Sequence, residues 1–453
     1  MPDQNRITGT MTDDRPTAFD LSRLVTRLRH ASPSGIDRVD LAYARATLAG
    51  AGPRFGLVST ALGPRILDRA QAVEIVEAVA AGWIEEGSAE ADPVYRRLRL
   101  RLGGAPPAAV PDARRTEPGT YRRRRIQAET LARIFSRGRS LAALPRGSLY
   151  LHTSHLRLDI PARFDWLYTR TDVEAAFFVH DLIPISHPEY GRPGEAGRHA
   201  ERMRTIGRHA AAVLVNSADT AELTKTYLAA QGFRPPPVTV GHLGVEPAFS
   251  REGPRFAPDR PTFLVCGTIE PRKNHLLLLH LWRSLAERMG PATPRLVLVG
   301  RRGWEAENIV DMLERCPAIR EHVVEVSGLS THGLAALMRS GTALLMPSFA
   351  EGYGIPVVEA AASGLPVVAS DIPVHREIGA DFSAFLDPLD GTGWLRTIEA
   401  LTEPASPMRA DLAARLDGYA PPDWAGHFAR VAPALTALRA PRRARIAPPT
   451  AGA

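Results

Sequence analysis

Only two cysteines, Cys266 and Cys316, occur in 453 residues. They supply no disulfide framework, and a reducing cytoplasm fits that scarcity. Cys266 lies in an apolar run and reads as a small buried residue. No run of about 18 apolar residues is present, so no transmembrane helix is expected. The first fifteen residues are polar and lack an apolar signal core, which reads as part of a disordered extension over 1–16. No Gly-x-Gly-x-x-Gly follows a strand, which argues against a nicotinamide or flavin enzyme. No glycine-rich loop ends in Gly-Lys-Ser/Thr, which argues against a P-loop nucleotidase. His152 and His155 stand three apart without a convincing third ligand, and no histidine–cysteine pattern suits zinc, so no metal site is expected.

What remains is a soluble globular composition, 44% apolar and 23% charged, long enough for two or three domains. The formal net charge of +7 is unevenly spread. Residues 95–139 hold thirteen arginines, four of them at 122–125, against three acidic residues. The local balance of +10 leaves the rest of the chain near −3. Two readings are open. One is a solvated insertion, partly disordered because 103–118 is rich in Pro, Gly and Ala. The other is a patch that rests on an anionic membrane. Nucleic acid is disfavoured, because no aromatic residues interleave the arginines.

Along the chain, residues 17–23, 55–60, 148–152, 175–179 and 212–215 read as strands, and 38–48, 74–87, 195–209 and 218–231 as helices. Residues 238–244 close this half. A polar stretch at 244–260, rich in Gly and Pro, reads as an interdomain linker. Strands then recur at 262–267, 295–300, 323–327, 342–346, 366–370 and 383–386. Continuous apolar strands of this kind imply a parallel sheet covered on both faces. A terminal helix is expected at 423–438 and a basic tail at 439–453.

The most informative segment begins at Phe349 and ends at Glu359. A buried strand precedes it and a helix follows, with Pro356 suited to the first helical position. Strand, glycine-rich turn and helix N-terminus together offer free N–H groups and a positive dipole end to an anion. Glu351 in the turn and Glu359 on the helix add acceptors for hydroxyls. Donors for phosphate beside acceptors for hydroxyls suggest a sugar nucleotide. The alternative is a plain turn with two surface glutamates. A second segment ends a strand at Cys266-Gly267 and continues Thr268-Ile269-Glu270-Pro271-Arg272-Lys273, with Asn274 placed to cap a helix. Arg272 and Lys273 are two cations at a strand's carboxyl end, where open α/β sheets bind ligands. His180 and Asp181 end another apolar strand, and Asn216 and Ser217 a third.

These segments resemble glycosyltransferase family 4. The likeness is strongest at 267–275, 297–300, 327–329 and 347–371, weaker at 33–45, 179–188 and 215–223, and absent from 60–145. It implies an α/β protein of the GT-B fold: two Rossmann-like doubly wound domains, 17–243 and 261–422, facing across a cleft, with a terminal helix that crosses back onto the first domain. It implies a retaining transferase that moves a sugar from a nucleoside-diphosphate sugar to a hydroxyl of a glycan or lipid-linked acceptor. No cofactor is implied. Lys273 and Arg272 would bind the diphosphate, Glu359 the ribose and Glu351 the transferred sugar, with His180 beside that sugar. Gly267, Thr268, Gly328, Leu329, Gly352, Tyr353, Gly354 and Ile355 would line the donor site; Gly35, Ile36, Arg38 and Asp181 would lie on the acceptor side. Asp181 would either orient His180 or meet acceptor. Many family members carry arginine where this chain has Thr268. The setting implied is surface-polysaccharide assembly in the cytoplasm, with peripheral contact at an anionic membrane face. The rival readings are a noncatalytic GT-B binding or scaffold protein, a GT-B phosphorylase and a nucleotide-sugar epimerase.

Overall fold

The computed structural model describes residues 14–30, 33–83, 88–104 and 120–439, with the backbone alone described at 120–123 and 439. Two sheets organise it. The first contains β1 (Thr17–Asp20), β2 (Arg54–Thr60), β3 (Gly63–Asp68), β4 (Leu149–His152), β5 (Glu174–Val179), β6 (Ala210–Val215) and β7 (Val238–Val240), in the order β3-β2-β1-β4-β5-β6-β7. The second contains β8 (Thr262–Cys266), β9 (Arg295–Val299), β10 (Val323–Val326), β11 (Ala343–Met346), β12 (Val367–Ser370) and β13 (Ser383–Leu386), in the order β10-β9-β8-β11-β12-β13. Every pairing is parallel except β2 with β3. Helices cover both faces, which is why β4, β5, β6, β8 and β11 are buried along their whole length. Strand order reverses between β1 and β4 in one sheet and between β8 and β11 in the other. Loops leaving such a reversal run in opposite directions and open a crevice at the carboxyl ends of the strands.

Several boundaries differ from the sequence reading. The strand expected over 17–23 stops at Asp20, because its carboxylate accepts the Ser22 N–H and a helix, Ser22–Arg27, begins. The helix expected at 38–48 starts at Gly35, where Ser34 and Asp37 form a capping box. The helix expected at 74–87 runs Arg69–Gly82, started by the same device between Asp68 and Gln71. Strand β3 was not anticipated. It pairs antiparallel with β2 at the sheet edge. In the arginine-rich stretch, helices Pro93–Arg101 and Thr120–Arg137 are present, and residues 105–119 lie outside the described residues. Of the extension expected at 1–16 and the tail expected at 439–453, residues 1–13 and 440–453 lie outside them too.

The last helix, Trp424–Thr436, packs on the first domain. Its His427 Nε2 lies 2.7 Å from the Tyr43 hydroxyl, and Phe428 meets the Tyr43 ring edge-on at 5.1 Å. Between domains the chain is held at Tyr353, whose hydroxyl donates to the Leu243 carbonyl at 3.4 Å.

Close approach of two strand ends places one demand on sequence. A Cβ at Gly300 would stand 1.8 Å from the Gly267 carbonyl oxygen, which is backbone and cannot swing aside. Gly300→Ala is therefore expected to destabilise the fold by about 1–3 kcal/mol or more, the usual cost of overpacking. Gly197→Ala, in the helix Glu195–His209 with open space around it, should stabilise by roughly 0.5–1 kcal/mol. Urea unfolding of the two variants checks both signs.

Candidate active site

The second sheet's reversal carries the charged groups. After β8, Gly267 takes φ 142, and its N–H donates to Val299 at 2.9 Å. Ile269 N–H donates to Arg301 and Gly303 N–H to Ile269, both at 2.9 Å, so the loop is tied to the one after β9. A single 3-10 turn, Pro271–Lys273, then directs Arg272 and Lys273 inward. Lys273 is only 8% exposed and lies along Gly267, where a Cβ would stand 3.2 Å from its Cε. Asn274 does not cap the next helix through its side chain. It adopts a left-handed φ of 55, and its amide donates to the Pro388 carbonyl at 2.9 Å.

The turn after β11 meets these cations directly. Phe349 N–H donates to the Arg272 carbonyl at 2.9 Å. The Glu351 carboxylate accepts from Lys273 Nζ with one oxygen and from Arg272 at 2.9 Å with the other. Arg272 also donates to the Ala350 carbonyl and to Glu270, each at 2.5 Å. Burial alone would push the Glu351 carboxyl up, but Lys273, Arg272 and, less strongly, His375 hold it well below the usual carboxylate range. Burial lowers the Lys273 ammonium against the opposing pull of Glu351. Only two lysines, Lys225 and Lys273, occur among 56 basic residues. A chain that uses arginine almost everywhere puts lysine here.

Glu359, on the helix Ile355–Ala362, is 3% exposed and pairs with Arg38 of the first domain at 2.8 Å. Burial raises its carboxyl to about 7, and Arg38 offsets only part of that cost. Pro356 is the second residue of this helix rather than the first. The helix bearing Arg38 is itself anchored by Asp37. Burial would raise that carboxyl, but hydrogen bonds and charge from Arg27, Arg23 and the Ser34 N–H bring it to about 2. One turn on, buried Asp40 is answered by the Thr153 hydroxyl at 2.6 Å, and burial raises it to about 7.

First-domain strand ends close over the same turn. A Cβ at Gly352 would stand 2.4 Å from the His180 carbonyl oxygen. The Gly352 carbonyl accepts from Ser217 at 3.0 Å and Thr220 at 3.3 Å. Ser217 also caps the helix Ala218–Ala230. His180 Nε2 lies 2.7 Å from the Thr153 carbonyl, and burial lowers the ring to about 4. A carbonyl can only accept, so Nε2 carries the proton and Nδ1 is left as the acceptor. Asp181 does not orient this ring: its carboxylate accepts the Ile183 N–H at 3.1 Å.

The remaining predicted residues divide. Gly354 has φ 91 and crowds His375, and Ile355 reaches Gly35 across the domains. Ile36 lies beside Gly35 in the first turn of Arg38's helix. Thr268 and Gly328 are exposed at the ends of β8 and β10, with Leu329 half-buried beside Gly328. The Tyr353 hydroxyl turns away to the Leu243 carbonyl. Three features escaped sequence reasoning: Glu270, the Arg38–Glu359 pair, and His375, whose Nδ1 lies 3.0 Å from the Ser370 carbonyl. An acid two residues before Arg272 was a usable signal for the first. Nothing in the spacing pointed to the others.

Residues 248–414 match the family model of glycosyl transferases group 1. The chain is 30% identical over 249 residues to the serotype-specific mannosyltransferase WbdA of Escherichia coli, a match covering 51% of this chain and 30% of that protein. It is 35% identical over 128 residues to the O-antigen chain mannosyltransferase B of Escherichia coli, covering 28% of this chain and 33% of that protein. The chain thus spans about a third of the length of each of these two relatives. Sucrose-phosphate synthase from Thermosynechococcus elongatus superposes with a TM-score of 0.57 at 15% identity, covering 94% of this chain and 99% of that one. The fold is GT-B, and the similarity to glycosyl transferases group 1 lies in residues 248–414.

The raised Glu359 carboxyl has a measurable sign. Between its ordinary value of 4.5 and about 7, the folded chain holds a proton that the unfolded chain has lost. Its contribution to stability therefore falls as pH rises through that window. Glu359→Gln removes this titration. The stability of the variant minus that of the parent should grow from pH 5 to pH 8 by on the order of 1 kcal/mol or more, as read by urea unfolding at both pH values.

Proposed function

We propose that the protein is a retaining glycosyltransferase of family 4, acting on a nucleoside-diphosphate sugar and a hydroxyl of a glycan or lipid-linked acceptor in surface-polysaccharide synthesis. The observation that carries this is Glu351 held between Arg272 and Lys273 at the reversal of the second sheet, beside the N-terminus of the helix Ile355–Ala362. The group 1 domain match and the serotype-specific and O-antigen mannosyltransferase relatives support it, and they favour mannose as the sugar.

In this reading the diphosphate takes the place of Glu351 on Lys273, and the helix N-terminus faces the same phosphates. Glu351 is released toward the transferred sugar. As the bond from the anomeric carbon to the diphosphate oxygen lengthens, negative charge grows on the phosphates and positive charge on the ring. Lys273 and Arg272 answer the first and Glu351 the second. The acceptor hydroxyl bonds to the anomeric carbon on the face the diphosphate leaves, so configuration is retained, and its proton passes to the departing phosphate oxygen. Neutral His180 offers Nδ1 to a sugar hydroxyl without adding charge. Glu359 exchanges Arg38 for the ribose hydroxyls. The base lies over Gly328 and Leu329 at the end of β10, two strands from β8 and so about 10 Å from the cations. No divalent ion is needed in this account.

The membrane enters through the helix Thr120–Arg137, where Arg124, Arg125, Arg133, Phe135 and Arg137 are exposed. Among the described residues no helix is long and apolar enough to cross a bilayer. Contact with the cytoplasmic face is therefore read as peripheral and basic.

The test is a thermal-shift and hydrolysis screen with UDP-, GDP- and ADP-sugars. A donor at a hundredfold over Kd should stabilise the chain by about 2.7 kcal/mol. Absence of stabilisation and hydrolysis with every donor would overturn the reading. With the donor found, Lys273→Ala should weaken the nucleoside diphosphate by about ten- to a hundredfold, the worth of one charge-assisted hydrogen bond. Glu351→Gln removes the carboxylate that competes with phosphate, so nucleotide affinity should hold or tighten. Turnover should fall by roughly two orders of magnitude. Calorimetry and initial rates separate the two effects.

Sedimentation with vesicles tests the surface. The parent should bind phosphatidylserine-containing vesicles and release with added salt. Serine at 122–125 should reduce binding. A parent that ignores anionic vesicles leaves the helix as a solvated face.

A further inference from the structure

The stretch Ser88 to Gly104 belongs to the first half of the sequence, yet it packs on the second domain. Tyr95 and Ala89 form a buried cluster with Ala336, and Phe256 and Leu329 close against it. The Asp259 N–H donates to the Leu102 carbonyl at 2.9 Å.

Asp92 is the centre of this contact and is 1% exposed. Its Oδ1 accepts from the Val94 N–H at 2.7 Å and the Tyr95 N–H at 3.2 Å, capping the helix Pro93–Arg101. Its Oδ2 accepts from the Ser330 N–H at 2.7 Å. Ser330 in turn caps the helix Thr331–Ser340, its hydroxyl accepting the Gly333 N–H at 3.0 Å. One buried carboxylate therefore sits where two helix N-termini converge, and it answers orphan N–H groups and dipole ends on both. The fit is close: a Cβ at Gly333 would stand 2.5 Å from Asp92 Oδ2.

Ser330 directly follows Gly328 and Leu329. Leu329 packs against the Tyr95 cluster, and Gly328 takes a left-handed φ of 81. The loop that leaves β10 is thus pinned from outside its own domain, at its backbone by Asp92 and at its side chain by Tyr95. We propose that Asp92 is a positioning residue for the nucleotide: from an insertion in the first domain it fixes the loop Gly328–Leu329–Ser330, against which the base is read. This rests on the donor assignment made under the proposed function. Asp92 touches no ligand. It acts through the Ser330 N–H, so its effect belongs to the base end of the donor and not to the phosphate end.

That division supplies the test. On the full chain, calorimetry measures the affinity of the nucleoside diphosphate that the parent binds and of inorganic pyrophosphate, which meets only the Lys273 end. Asp92→Ala should weaken the nucleoside diphosphate by about tenfold or more, the scale of a lost hydrogen bond to a charged group. Pyrophosphate affinity should stay within about twofold, since none of its contacts lie on this loop. Asp92→Asn keeps one acceptor oxygen and the side chain's shape, and should fall between parent and Asp92→Ala. Gly333→Ala leaves Asp92 in place but displaces its carboxylate, and should reproduce the selective loss. Equal weakening of both ligands, or of neither, in the folded Asn and Gly333 variants overturns the inference. A parent that binds no nucleoside diphosphate overturns the functional reading first and this inference with it. A parent that binds, with variants that bind equally well, overturns this inference alone.

Discussion

A carboxylate and two cations withdrawn from water must answer one another at contact distance, because each alone would cost several kcal/mol to bury. Glu351, Arg272 and Lys273 meet that condition, and Glu270 supplies the fourth charge. The set balances before any ligand arrives, with two acids against two bases. Its consequence is an exchange. Under the proposed function, a diphosphate would enter only by replacing Glu351 as counterion, so the arrival of the leaving group and the release of the carboxylate would be one event. The cations would then need no reorganisation as charge grows on the phosphates, which is where electrostatic catalysis gains most.

The first domain is assembled around the same turn. Gly352 has no side chain because the His180 carbonyl occupies that space, and its own carbonyl is held by Ser217 and Thr220. Arg38 crosses to Glu359, and its helix is fixed in turn by Asp37 with Arg23 and Arg27. His180 and Ser217 bring strand ends of the first sheet to the β11 turn, and Arg38–Glu359 joins a helix of each domain. The domains therefore meet through the residues that would hold the donor, and closure and site formation share their interactions.

The parallel strands were legible because burial on both faces demands continuous apolar runs, and those runs survive in the sequence without any partner being known. Strand β3 was not legible: Gly63–Asp68 is an edge strand of mixed polarity and lies where no family likeness reached. Strand β1 was overextended because Asp20 ends it through a side-chain hydrogen bond that no periodicity encodes. For the site, residue types at strand ends were visible, but their pairings were not. Arg38 and Glu359 stand 321 positions apart, and only the fold says they touch. Asp92 caps the helix that begins at Pro93. That its second oxygen serves another domain's helix cannot be seen in one dimension.

Arg272 and Lys273 were both expected to face the diphosphate, and their partners in the structure differ. Arg272 is committed to Glu270, Glu351 and the Ala350 carbonyl, three acceptors spread around its planar fork. Turning that fork toward a phosphate would break bonds that hold the β8 loop to the β11 turn. Among the described residues the Lys273 ammonium makes one side-chain hydrogen bond, to Glu351, and it is a rotatable point charge on a flexible stem. It can pass from a carboxylate oxygen to a phosphate oxygen by a small torsion. Arginine at 273 would bring a second rigid fork into a space that Gly267 clears for a narrow methylene chain. In the proposed reaction the lone lysine of this domain would thus be the movable charge, and Arg272 the frame that keeps its counterion within reach.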